Sequence, residues 1–140
     1  MIKAYSVVLE AENYDPIPFD RLAFPIVDSV ALASNGTGFV VMTTFPGAQG
    51  NITMAVGVDR EYKCTGISIT KHSETSGLGA NAASTSKIGT DFRAQFVGQD
   101  DTCAITLAGG DIDALTGATI TSRSVANATA TAIKVVEHLG

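Results

Sequence analysis

The sequence predicts a single α+β domain: an antiparallel sheet of about five or six strands with two or three helices. Three observations carry this. β-rich runs succeed one another through residues 27–71, with turn residues between them. Asn35-Gly36 separates two of those runs and is the strongest short hairpin signal. The final segment carries an apolar stripe at helical spacing.

The elements follow in order. AYSVVLEA reads as a strand or short helix, and NYDPIPFD as an extended connector. Pro16, Pro18 and Pro25 forbid a continuous helix there. VDSVALAS and FVVMTTFPG flank NGTG as a hairpin. Gly47 and Gly50 bracket a polar loop, and Phe45-Pro46-Gly47 is a candidate close approach to a ligand. ITMAVGVD and CTGISITKH read as two more strands with a turn near residues 59–63. SETSGLGANAA is a glycine-containing loop. STSKIGTDFRAQFVG reads as a short helix, with Ile88, Phe92 and Phe96 four apart on one face; the two phenylalanines are expected in the core. TCAITLAGG reads as a further strand. In TSRSVANATATAIKVVEHLG, Val125, Ala128, Ala132, Val135, Val136 and Leu139 form one stripe. Thr121 or Ser122 is expected to cap its start, and Gly140 to close its end, with Lys134 and His138 against the negative dipole terminus.

Bulk properties narrow the function. The 140 residues suffice for one domain with a real core. The composition is 45% apolar and 16% charged, as expected of a globular chain. The net charge is −5 and the nine Lys and Arg are scattered, which argues against nucleic acid as a partner. Cys64 and Cys103 lack metal spacing, so no metal site is expected. Two buried thiols or a strand-to-strand disulfide both fit. No run of 18 apolar residues and no signal-peptide pattern is present, so this chain itself is expected to be soluble.

The chemistry concentrates in DALTGATITSRS, residues 113–124. Thr116, Thr119, Thr121 and Ser122 crowd together just ahead of the last helix. Unpaired N–H groups and partial positive charge at a helix start suit a phosphate, Gly117 permits close approach, and Ala118 keeps the site small. Hydroxyls before a helix are also ordinary caps and turn formers. Both readings stand on the residues alone.

DALTGATIT resembles the flavinylation motif of the FMN-binding domain family, which includes the G subunit of the Rnf electron-transport complex and the C subunit of the Na+-translocating NADH:quinone oxidoreductase. Asp113, Thr116, Gly117, Ala118 and Thr119 match it in order, and Thr121-Ser122 supplies its trailing hydroxyl pair. The resemblance implies that a flavin transferase takes FMN from FAD and esterifies it through its phosphate to Thr119. HSETSGLG, residues 72–79, is similar to the family's ring-lining loop. Glu74, Thr75, Gly77, Leu78 and Gly79 match, while Ser76 stands where proline is usual. The similarity covers roughly residues 36–140; residues 1–30 form a less similar N-terminal extension to the single domain.

The implied cofactor is covalent FMN, with no catalytic residue of the chain's own. Leu78 is expected against the ring face, backbone N–H groups from Gly77 to Asn81 at the ring edge, and Thr75 as a donor. Glu74 is expected to lower the reduction potential through its charge. His72 is a candidate proton relay, because imidazole ordinarily titrates near neutrality. Asp113 is expected to serve the turn or transferase recognition. The resemblance implies an electron carrier among other redox subunits of a membrane-associated, extracytoplasmic chain. Many relatives begin with a membrane-spanning helix; either it was removed here or this is a soluble member. Two other classes remain: a non-covalent FMN module or scaffold, and a serine hydrolase using Ser84 and Lys87 of STSK.

Overall fold

The computed structural model describes residues 8–9, 11–47, 50–71, 87–106, 109–115 and 118–139. Among these residues five strands run in chain order: β1 (Tyr14–Ile17), β2 (Val27–Ala33), β3 (Gly38–Pro46), β4 (Asn51–Asp59) and β5 (Cys64–Lys71). Each pairs antiparallel with the next, so the sheet is a simple meander. Two helices follow, α1 (Lys87–Ala94) and α2 (Thr119–Leu139).

Local chemistry explains the turns. Gly36 takes φ 72°, and its N–H donates to the Ala33 carbonyl at 2.9 Å. Asn35 Oδ1 accepts from the Thr37 N–H and hydroxyl, closing the β2–β3 hairpin. Between β4 and β5, Asp59 Oδ1 accepts from the N–H groups of Glu61 and Lys63. These bonds hold Tyr62 at φ 63°, a backbone region that side chains rarely occupy.

The central strands are buried on both faces. On one, Val41, Phe45, Ile52, Met54, Val56, Val58 and Ile67 pack beneath α2. The expected stripe is the buried face of that helix: Val125, Ala128, Ala132, Val135 and Val136 are all at most 1% exposed. Burying each Val is worth about 1.5–3 kcal/mol against leaving it in water. On the other face Val40, Met42, Ala33 and Ala55 cluster with Val8 and Leu9. Gly57 and Gly66 pair across β4 and β5 and make the floor on which residue 8 lies. A Cβ on Gly57 would fall 2.5 Å from the Val8 carbonyl oxygen and would overlap Thr65 Oγ1.

Phe92 and Phe96 are core residues, edge to face at 5.3 Å. Cys64 and Cys103 are buried free thiols. Among the described residues, no helix is long and apolar enough to cross a membrane.

Two expectations about the strands need correction. Residues 14–17, expected as connector, form β1. Pro16 is tolerated because β1 is an edge strand, paired on one side among the described residues. Of residues 102–110, expected as a strand, the described ones make an isolated parallel bridge, Ile105 with Ile112. The Asp100 carboxylate accepts from the Thr102 N–H at 2.9 Å and starts a turn there. Gly109 (φ 87°) then reverses the chain, and Gly110 donates to the Ile105 carbonyl at 3.0 Å. The Gly140 cap lies outside the described residues.

Candidate functional site

The site is built where the segment 109–118 runs into α2. Ile112 and Leu115 are buried, and Asp113 between them is exposed. Apolar anchors on either side therefore hold the segment against the core while its acid faces solvent. The Ala118 N–H donates to the Leu115 carbonyl at 3.0 Å, and the Ala118 carbonyl accepts the first helical N–H, from Ser122, also at 3.0 Å. Ala118 thus occupies the cap position, and its methyl group can cap nothing.

This corrects the expectation that Thr121 or Ser122 caps the helix. Thr119 is already helical, so both lie inside the first turns. Ser122 instead bonds backwards. Its hydroxyl donates to the Ala118 carbonyl at 2.8 Å and accepts from the Leu115 N–H at 2.9 Å. The back-bond to residue i−4 is a local habit of serine in helices. Here its oxygen also satisfies a donor of the incoming segment. Thr121 is 1% exposed. Thr119 is only half-buried, and among the described residues its hydroxyl has no hydrogen-bond partner.

The electrostatics suit an anion. The first turn of α2 contains no acidic side chain. Its leading N–H groups lack helical partners, and the dipole places partial positive charge there. Arg123, close by in the helix, is exposed. A helix start of this kind favours an anion, and Ala118 and Thr119 add little bulk beside it.

Sequence reasoning missed Gln95, on the turn after α1. Its side-chain amide spans the Asp113 backbone: Oε1 accepts from the N–H at 2.7 Å and Nε2 donates to the carbonyl at 3.1 Å. No motif marks it, because a polar residue after a short helix ordinarily reads as solvated. Of the expected site residues, the structure brings Asp113, Ala118, Thr119, Thr121 and Ser122 together. Thr116 and Gly117 lie outside the described residues, as do His72, Glu74, Thr75, Ser76, Gly77, Leu78, Gly79 and Asn81 of the expected ring loop, and Ser84. Lys87 is exposed and paired with the Asp91 carboxylate at 2.7 Å. That hydrogen bond and charge push its pKa up, the opposite of what a general base needs.

Comparison with known proteins bears on the same segment. The model of a family described as FMN-binding domain matches residues 47–134. The G subunit of an ion-translocating oxidoreductase complex from Methanosarcina acetivorans is 34% identical over 139 residues, covering 93% of this chain and 71% of that one. The G subunit of the Na+-translocating ferredoxin:NAD+ oxidoreductase complex from Acetobacterium woodii is 32% identical over 116 residues, covering 76% of this chain and 53% of that one. The chain thus spans about half the length of the Acetobacterium protein, and 62% of a G subunit from Aliivibrio fischeri. Among solved structures, the C subunit of a Na+-translocating NADH-quinone reductase from Parabacteroides distasonis superimposes with a TM-score of 0.53 at 21% identity, covering 91% of this chain and 72% of that one. That likeness is one of fold.

Proposed function

The chain belongs to the FMN-binding domain family, and we propose that it is an electron carrier holding FMN through a phosphoester to Thr119. One observation carries the reading. Of the three motif hydroxyls described, Thr121 is buried and Ser122 is spent on two backbone groups, which leaves Thr119 as the reachable oxygen.

Attachment is a phosphoryl transfer. The Thr119 oxygen bonds to the phosphorus on the riboflavin side of FAD, the bond from that phosphorus to the bridging oxygen breaks, and AMP leaves. The hydroxyl proton passes to the transferase or to solvent. The product charge settles at the start of α2, where N–H groups and the dipole favour it. Ser122 contributes by fixing Leu115 and Ala118, not by touching the phosphate. Thr116, Gly117, Glu74, Thr75, Gly77, Leu78, Gly79 and Asn81 are proposed to complete the site around phosphate and ring. The bound flavin would supply one- or two-electron transfer; the chain supplies attachment, orientation and exclusion of water.

The relatives' names extend the proposal to partners. The chain acts as the G-type component of an ion-translocating, membrane-associated redox complex, matured by a flavin transferase and exchanging electrons with other subunits on the extracytoplasmic side. Non-covalent FMN binding is the second reading, favoured by the family description, which names FMN without a bond. Production of the chain with a flavin transferase separates the two. The visible flavin band should stay with the polypeptide after denaturation and precipitation, and Thr119→Ala should abolish it. Flavin released on denaturation would favour the non-covalent reading.

A further inference from the structure

Phe92 and Phe96 anchor the end of α1 in the core, at 2% and 0% exposure. Gln95 lies between them and is half-buried. Its amide grips Asp113 by the backbone alone, at both the N–H and the carbonyl, and leaves the carboxylate in solvent. Two residues on, Leu115 is gripped by Ser122 of α2. The attachment segment is therefore tied at one end to α1 and at the other to the helix that carries Thr119. A side-chain amide spanning one residue's donor and acceptor acts as a one-residue strand pairing, and both of its bonds must break before the segment shifts.

We infer that Gln95 is a positioning residue for the flavin, holding the attachment segment in register with α1. The inference rests on the attachment at Thr119 proposed above. In the chain, α1 follows the segment that bears the ring-loop motif. The Gln95 clamp therefore sets how the element after that motif is placed against the attachment point. Gln95 does not touch the phosphate, so the bond to Thr119 forms without it. What its loss releases is the orientation of the attached group.

The full chain is tested as wild type, Gln95→Ala and Gln95→Glu, each produced with a flavin transferase. Intact mass reads attachment, visible circular dichroism and flavin fluorescence anisotropy read orientation, and hydrogen exchange of the Asp113 amide in unmodified chains reads the clamp itself. All three chains should gain the same mass. Gln95→Ala should lose Asp113 protection, induced dichroism and anisotropy. Gln95→Glu keeps an acceptor for the N–H and loses the donor to the carbonyl, so it should fall between. A merely structural role would lower the melting temperature and leave the flavin signals of the folded protein unmoved. Flavinylated Gln95→Ala with wild-type dichroism and anisotropy overturns the inference alone. A wild-type chain that gains no flavin overturns the attachment, and the inference with it.

Discussion

The Ser122 hydroxyl accepts from the Leu115 N–H at 2.9 Å while donating to the Ala118 carbonyl at 2.8 Å. One buried oxygen thereby joins the segment entering α2 to the first turn of that helix. Ser122→Ala strands a buried N–H and should cost about 1–3 kcal/mol of stability. Thr119→Ala removes a half-buried side chain with no such partner and should cost about 0.5 kcal/mol or less. Urea unfolding of unmodified chains checks both, read as a shift in midpoint at constant slope.

Gly57 and Gly66 make a second, sharper contrast. A Cβ on Gly57 overlaps Thr65 Oγ1 and the Val8 carbonyl, whereas one on Gly66 meets nothing nearer than 3.6 Å. Gly57→Ala should cost about 1–3 kcal/mol through overpacking, with Gly66→Ala costing clearly less. Thermal melts rank the two, and faster exchange of the Leu9 amide in Gly57→Ala identifies the displaced segment.

The buried thiols predict a pH dependence. Burial pushes Cys64 up to about 12. Burial, then the neighbouring Cys64 and the carboxylates of Asp100 and Asp111, does the same to Cys103. In the unfolded chain a thiol titrates near about 8.5. The folded state therefore binds more protons through the interval between these values. The thiols' contribution is full below about pH 8.5 and is lost as pH rises toward 12. Unfolding midpoints measured from neutral pH upward should fall, and a double Cys64→Ala, Cys103→Ala variant should fall less steeply. Native chains should resist alkylation at pH values where unfolded chains react.

What the sequence disclosed follows the range of the interactions involved. The Asn35-Gly36 hairpin and the α2 stripe are written in neighbouring residues, and both were legible. The edge strand at Tyr14–Ile17 was not, because Pro16 within it argues against a ladder, which is permitted where β1 is paired on one side among the described residues. In the described part of residues 102–110 the β-rich letters make a bridge and not a named strand, with turns at Asp100–Thr102 and at Gly109. At the site, Thr119 was visible through the motif and its reachability was not. The roles of Thr121 and Ser122 depend on where the helix begins, and Ala118 rather than a hydroxyl fills the cap. Gln95 left no trace, since its partner is 18 residues away and is a backbone, which has no letter of its own.

The most direct measurement is the mass of tryptic peptides from the chain produced with a flavin transferase and FAD. The peptide containing Thr119 should be heavier by FMN less one water, with fragmentation placing the addition on that residue and Thr119→Ala lacking it. An unmodified Thr119 peptide from wild-type protein treated in this way, or the same addition found on another residue, would contradict the account.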